Sequence, residues 1–587
     1  RDRGIHPPVL LRFSDLARHR LQSLRSAFDA AIEDNEYEGK YAAVYPVKVN
    51  QQRLVCSEIR DFAAELGFGL EAGSKPELIA VLALTVGHNE MPIVCNGFKD
   101  REFIETVVLA TKLGRNIVPV VERFSDLELI VELSRQYSVR PRIGIRIKPA
   151  ARGTGKWISS AGARSKFGLS AGEVMRALEL LKAHDMADCL KMVHFHIGSQ
   201  LSDIRRLKSA VTELAYFYAE LRRLGAGIEI IDVGGGLGVD YDGTASAFDS
   251  SVNYTMREYA SDIVYRIKTA CEDAGVPHPT IYSESGRAMV AYSSVLVFDV
   301  LGRFCFDAES DPQAVRAMLE GEAEDDQPQP LWDLLSAMDN LNDRNLLESF
   351  HDALQARDEV NNLFSLGYVT LPMRAAAEGL FWQLGKRILE RSRKLGELPD
   401  EMETLAAGLS DIYYCNFSVF QSLPDAWAIG QLFPVMPLHR LHQRPTRLAT
   451  LADITCDSDG KIERFAGDRD IKRTIELHEL DGDNPYYLGA FLVGAYQEVL
   501  GDLHNLFGDT HVVHVSVDES GWSIDEVVEG DSVRQVLGYV GFDSAQMTRR
   551  LRQDIERSMR EGRLDVSEGR ALREFYESSI AGYTYLE

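Results

Sequence analysis

"IEIIDVGGGLGVDYDG", residues 228–243, begins as a β-branched apolar run and stops on three consecutive glycines. A short apolar run closed by glycine reads as a buried strand entering a tight turn, because glycine reaches backbone conformations that side chains forbid. Seven more runs of this kind flank it: "YAAVYPVKV" (41–49), "GFGLEAG" (67–73), "MPIVCNG" (91–97), "NIVPVVE" (116–122), "RIGIRIKP" (142–149), "MVHFHIGS" (192–199) and "TIYSESGR" (280–287). Between them, segments such as "KPELIAVLAL" (75–84) and "RRLKSAVTELAYFYAELRRL" (205–224) carry apolar residues every third or fourth position, the period of a helix. Eight βα units over roughly 250 residues are what a (β/α)8, TIM-like barrel needs, whereas a doubly wound sheet more often stops at about five to seven strands.

The barrel is expected within residues 1–305, with the extreme N-terminus packing on a second, β-rich domain. After it, "FDAESDPQAV" and "EGEAEDDQPQP" (320–330) form an acidic, proline-marked connector. The stripe Leu331, Leu334, Leu335, Met338 and Leu341 and the segment "LPMRAAAEGLFWQLGKRILERSRKL" (371–395) then make 306–408 a linker with a helical insertion. Short strand patterns return over 409–545, clearest in "CDSDGKI" (456–462) and "VVHVSVDESGWSI" (512–524), and predict a β-barrel or sandwich. Residues 546–587, with Leu551, Ile555 and Met559 in register, predict a C-terminal helical extension.

Composition narrows the function classes. A net charge of −25 over 587 residues argues against a general nucleic-acid binder, whose phosphate contacts demand a basic surface. No apolar run reaches the roughly 18 residues of a membrane span. Seven cysteines without a C-x-x-C pair fit a reducing cytoplasm better than a disulfide scaffold or a zinc site. The chain opens Arg1-Asp2-Arg3 without methionine, so a missing natural N-terminus is expected.

In a (β/α)8 barrel, reactive groups gather at the C-terminal ends of the strands. Lys48, Glu71, Asn96, Glu122, Arg146, His196, Ser199, Asp232 to Gly236, Glu284 and Arg287 all fall there. Polar strand tips are commonly there for solvation, so the set matters more than any member. Lys48 sits in an apolar run, and an unpaired buried ammonium costs several kcal/mol; an imine with an aldehyde resolves this, as does a salt bridge or an escape to solvent. The Gly234-Gly235-Gly236 run can offer backbone N–H groups to an anion such as a phosphate, or simply make a turn. In "HFHIGS" (194–199), His194 and His196 point to one side of a strand, so a two-histidine metal site competes with a buried structural histidine and with His196 stacked on a flat ring above a phosphate at Ser199. No third metal ligand stands at a diagnostic spacing. In "SESGR" (283–287), Glu284 and Arg287 are either a surface ion pair or partners for a ring nitrogen and an anion. An amine for an imine, an anion nest, a stacking imidazole and a carboxylate for a pyridine nitrogen are together the parts that hold pyridoxal phosphate.

On these residues the chain resembles the fold-type III pyridoxal-phosphate decarboxylases, which include ornithine, diaminopimelate and biosynthetic arginine decarboxylases. The resemblance implies that Lys48 in "YPVKVN" is the Schiff-base lysine, with Glu71 of "EAGS" nearby, and that His196 stacks on the ring. Glu284 would meet the pyridine nitrogen, while Ser199, Gly234, Gly235, Gly236, Arg287 and Tyr496 of "GAYQ" would bind the phosphate. Arg146 and the "KFG" at 166–168 also match family positions, and the glycine-rich segment 151–166 is expected to be a loop over the site. Cys456 of "CDSD" resembles the cysteine that reprotonates the product from a second subunit, so a homodimer with shared active sites is implied, with a tetramer as a further expectation. Asp457 resembles the residue that takes the distal group of a basic amino acid; Asp459, Glu519 and Asp525 are weaker candidates for a guanidinium. The insertion, the chain length and blocks such as "GAYQEVLGDLHNLFGDTH" resemble the branch that decarboxylates L-arginine to agmatine for polyamine and spermidine biosynthesis. Ornithine, lysine or diaminopimelate is the alternative substrate, and a Schiff-base aldolase and a non-catalytic pyridoxal-phosphate protein are the alternative classes. Magnesium is a family expectation with no visible site.

Overall fold

The chain's first strand, β1 (Val9–Phe13), stands outside the barrel and belongs to a second sheet. In this computed structural model, which describes residues 4–149, 165–306, 310–323, 327–395, 400–467, 471–482 and 484–586, the next eight strands close on themselves. They are β2 (Tyr41–Pro46), β3 (Gly69–Ala72), β4 (Ile93–Cys95), β5 (Ile117–Val121), β6 (Ile143–Arg146), β7 (Leu190–His194), β8 (Ile230–Asp232) and β9 (Thr280–Ser283). All pair in parallel, and β2 meets β9 through Tyr41 opposite Ile281. Every residue of β2, β3, β4, β5 and β8 is buried, because helices cover the outside of the barrel while side chains fill the inside. Sequence patterning thus counted the strands correctly but drew them too long.

The intervening helices start where short polar side chains cap them. Ser74, Asp100, Ser170 and Thr255 each accept a hydrogen bond from a backbone N–H in the first turn, and Ser170 and Thr255 complete capping boxes with Glu173 and Glu258. Ser74 and Asp100 cap their helices within a few residues of the β3 and β4 ends, whereas long excursions after β6 and β8 precede Ser170 and Thr255.

The second sheet has ten strands: β1, then β10 (Ser294–Phe304), β11 (Asp411–Cys415), β12 (Val435–Pro437), β13 (Arg447–Ala452), β14 (Lys461–Ile462), β15 (Ile475–Leu477), β16 (Tyr487–Phe491), β17 (His511–Asp518) and β18 (Gly521–Val528). Its main path runs β14-β13-β11-β10-β1-β17-β18. Both β1 and β10 precede residue 305, so a boundary there cuts through the sheet. The β10 strand shows the alternating burial of a sheet with one covered face, unlike the barrel strands. Among the described residues, five helices between Pro312 and Gly408 form a bundle with its own apolar core around Leu334, Val360 and Leu384. The C-terminal helices begin at Val533, ahead of the expected residue 546, because Val533–Tyr539 is a separate short helix behind the Ser532 cap. Of the expected loop 151–166, residues 151–164 lie outside the described part.

Candidate active site

Pro46 ends β2, and without an N–H it cannot extend the ladder. Val47–Val49 then turn as a single 3-10 segment, so Lys48 sits on a turn beyond the strand and not within it. Its flanking valines are buried while its own side chain is 44 % exposed into the barrel mouth. The amine reaches Oε2 of the fully buried Glu71 at 3.4 Å. Burial acts to lower the Lys48 pKa, but Glu71, Glu284 and Tyr496 outweigh it and hold the ammonium form above its ordinary range.

Lys48, His196, Ser199, Gly235, Gly236, Glu284, Arg287 and Tyr496 line one cavity. The residues that an imine, a ring and a phosphate would require therefore come together from five separate stretches of chain. Arg287 projects from the short helix Gly286–Val290 after β9, with Nε 3.2 Å from Ser199 Oγ, Nη1 2.9 Å from the Tyr241 hydroxyl, and its guanidinium 4.8 Å from the Tyr496 ring centre. A cation, a hydroxyl and the glycine turn thus share one end of the cavity. Gly234 has φ +61°, and a Cβ there would lie 2.3 Å from the Phe195 carbonyl oxygen. At Gly235 a Cβ would come 3.0 Å from the Glu284 carbonyl oxygen and 3.2 Å from His196 Nε2, so a side chain would intrude beneath the imidazole.

His196 lies two residues past β7 and does not share a strand face with His194. Its Nδ1 accepts the Gly198 N–H at 3.1 Å, and burial, then Arg146 and Lys48, keep it neutral. His194 instead lies beside Asp232, its register partner on β8, with Nδ1 3.0 Å from Oδ2 but without hydrogen-bond alignment. His194, Asp232 and Glu284 form a buried trio whose nitrogen and oxygen atoms lie within 4.8 Å of one another. Asn96 Nδ2 donates to Glu284 Oε1 at 2.8 Å. Burial, then Asp232, push the Glu284 carboxyl up to about 8; burial lifts Asp232 to about 7 and drops His194 to about 4. Without a ligand, the floor of the site is a set of acids kept short of full ionisation.

Arg146 pairs with buried Glu122 at 2.7 Å, behind the cavity. Burial works to raise Glu122, but Lys99 and Arg146 hold it below its ordinary range. Lys99, 2 % exposed, is a residue that strand-end reasoning missed: it sits in the loop after β4, where no periodicity marks it. Asn96 and Asp232 were visible as strand tips, yet their contacts with Glu284 depend on strand register.

Cys456, Asp457, Asp459 and Asp525 are not among the cavity's lining residues. Cys456 is exposed between β13 and β14, and its N–H donates to Asn505 Oδ1 at 2.8 Å. Asp457 lies 3.5 Å from His504 Nε2 and accepts the Asp459 N–H at 3.1 Å. Asp525 stands on β18, at the opposite end of the sheet path from the Cys456 turn, and accepts from Ser516 Oγ at 2.5 Å; Glu519 lies between β17 and β18. The acidic candidates therefore split into two separate groups.

Residues 21–291 match the pyridoxal-binding domain of the pyridoxal-dependent decarboxylases, which defines the class of the barrel and its site. Residues 324–406 match the arginine decarboxylase helical bundle domain, and 533–586 the arginine decarboxylase C-terminal helical extension. The biosynthetic arginine decarboxylase of Rhodopirellula baltica is 48% identical over 606 residues, covering 100% of this chain and 90% of its own. The crystal structure of the biosynthetic arginine decarboxylase of Campylobacter jejuni superposes with a TM-score of 0.85 at 34% identity, covering 100% and 93% of the two chains. The chain belongs to the biosynthetic arginine decarboxylase family, a group of pyridoxal-dependent enzymes. A diaminopimelate decarboxylase from M. jannaschii, crystallised with L-lysine, shares the fold at 17% identity, with a TM-score of 0.62 and coverage of 93% and 94%. No helix among the described residues is long and apolar enough to cross a membrane.

Proposed function

We propose that this chain decarboxylates L-arginine to agmatine and CO2, in the service of polyamine and thence spermidine synthesis, with pyridoxal phosphate bound in the Lys48 cavity. The observation that carries the reading is one cavity holding an amine, a glycine cradle and a buried carboxylate, in a chain that matches arginine decarboxylases over its full length. The cavity suits the cofactor on its own terms. The glycine turn leaves room beneath His196, and Glu71 Oε1, on the carboxylate beside Lys48, is buried without a hydrogen-bond partner. Pyridoxal phosphate supplies an electrophilic carbonyl carbon and an electron-withdrawing ring.

Each residue then has a task. Lys48 would hold the group through its carbonyl carbon, and Glu71, 3.4 Å from the amine, would take up or return a proton at that nitrogen. Glu284 would accept a hydrogen bond from the ring nitrogen, where a positive charge would favour its ionised form. The neutral His196 presents a flat face, while Arg287, Ser199, Tyr496 and the Gly234 to Gly236 turn take the phosphate. The bond from the α-carbon to the carboxylate breaks, CO2 leaves, and the α-carbon takes a proton from Cys456 of a second copy. The exposure of Cys456 and Asp457, away from their own chain's cavity, supports a homodimer with shared sites, in which Asp457 and Asp459 meet the guanidinium. Asp525, on the far edge strand, is the weakest member of that set.

A cytoplasmic setting is supported by cysteines that form no disulfide among the described residues, a tetramer only by the helical insertion, and a magnesium dependence only by the family. The deciding experiment supplies purified protein with pyridoxal phosphate and a panel of arginine, ornithine, lysine and diaminopimelate, and follows CO2. Release is expected to be fastest from arginine. Faster release from another member overturns the substrate, and none from any overturns the decarboxylase.

A further inference from the structure

Arg12 and Glu498 lie 486 positions apart yet form an ion pair at 2.5 Å, with side chains only 4 % and 15 % exposed. Arg12 belongs to β1, and its Nη1 also lies 2.9 Å from His514 Nε2 on β17. The second Glu498 oxygen, Oε2, accepts a 2.7 Å hydrogen bond from Asn50 Nδ2. Asn50 is 2 % exposed, stands two residues after Lys48, and reaches the Gly494 carbonyl at 3.2 Å with the same amide. Between Lys48 and Asn50, the Val49 carbonyl accepts the Tyr496 N–H at 2.7 Å. The β-rich domain thus grips the chain immediately beyond Lys48 at two adjacent points, and the segment 494–498 supplies both.

A buried ion pair contributes little net stability, because desolvation offsets most of its attraction. Its value here lies in geometry: Arg12 fixes a carboxylate at one place, and that carboxylate fixes Asn50. Glu498 does not line the Lys48 cavity; with Arg12 it borders a separate cavity of about 300 Å³. We propose that Glu498, oriented by Arg12, is a positioning residue that anchors Asn50 and thereby sets the Lys48 turn and the Tyr496 ring. The inference rests on the reading of Lys48 and Tyr496 as cofactor-binding residues.

Two variants test it. Asn50→Ala removes the anchored amide; the double variant Arg12→Met/Glu498→Leu removes both charges together, so no buried charge is left unpaired and the fold is kept. Each is titrated with pyridoxal phosphate by visible absorbance, melted without cofactor, and assayed for KM with arginine at saturating cofactor. Loss of a hydrogen bond to a charged group predicts a cofactor Kd weakened about tenfold in both, with KM for arginine within about twofold of wild type. The triple variant Arg12→Met/Asn50→Ala/Glu498→Leu binds cofactor no more weakly than Asn50→Ala alone, because Asn50→Ala already removes the contact to Glu498 together with that to Gly494. A lowered melting temperature with unchanged cofactor Kd makes the network merely structural and overturns the proposal, as do losses that multiply in the triple variant. The wild-type titration separates the two failures: no visible band in wild type refutes the cofactor reading and this inference with it. A wild-type band with unaffected variants refutes this inference alone.

Discussion

Glu284→Gln tests the buried acids at the cavity floor in two independent ways. In the ligand-free protein, burial and Asp232 raise this carboxyl from its ordinary 4.5 to about 8. The folded state therefore holds a proton that the unfolded chain has released across that window, and the contribution of Glu284 to stability falls as pH rises from 4.5 to 8. At pH 7 the penalty is on the order of 3 kcal/mol, from about 1.4 kcal/mol per pH unit above the unfolded value. Glutamine has nearly the same shape, keeps an acceptor for Asn96, and carries no such penalty. Cofactor-free Glu284→Gln is thus expected to melt higher than wild type at pH 7, to match it near pH 4.5, and to lose much of the downward slope between. Asp232, which burial carries from 3.8 to about 7, adds a slope of the same sign, and His194, which burial drops from 6.5 to about 4, adds one of the opposite sign. The assay is the melting temperature of the cofactor-free protein across this range. With cofactor the sign reverses, because glutamine cannot ionise against a ring nitrogen. Loss of a charge-assisted hydrogen bond of about 1.5–3 kcal/mol predicts turnover lowered about 10- to 150-fold. Melting profiles that run parallel in the two proteins would refute the buried-acid account, and wild-type turnover would refute the ring-nitrogen contact.

Lys48→Ala is expected to abolish the visible imine absorbance, and a surviving band would assign the carbonyl to another amine. Gly234→Ala forces a side chain into positive φ with its Cβ 2.3 Å from the Phe195 carbonyl; strain of about 1–3 kcal/mol should appear as a lower melting temperature and weaker cofactor binding. An unchanged titration there would remove the glycine turn from the anion site. Coexpressed Lys48→Ala and Cys456→Ala chains should recover about a quarter of wild-type activity, since half of the randomly paired dimers carry one intact shared site. Activity no higher than that of the single variants would place both residues in one chain's site.

The barrel was legible because parallel strands buried on both faces must be written as continuous apolar runs, and eight such runs cannot be hidden by surface variation. Strand ends were not legible for the same reason. Nothing in "YAAVYPVKV" marks where pairing stops except Pro46, so Lys48 reads as a strand residue although it turns away on its own short segment. That displacement matters chemically: a strand residue points along a fixed pleat, whereas the Lys48 turn can be held from outside the barrel, as Tyr496 and Asn50 show. The residues legible as chemistry, Lys48, His196, Glu284 and Arg287, each follow an apolar strand run and together supply the group types that one cofactor needs. Those that stayed hidden act through pairing. His194 meets Asp232 because β7 and β8 are in register, and Arg12 meets Glu498 because β1 inserts between β10 and β17, some 500 positions along the chain. Local patterning carries no such register. The sequence announces the groups that react, while long-range pairing decides which groups hold them in place.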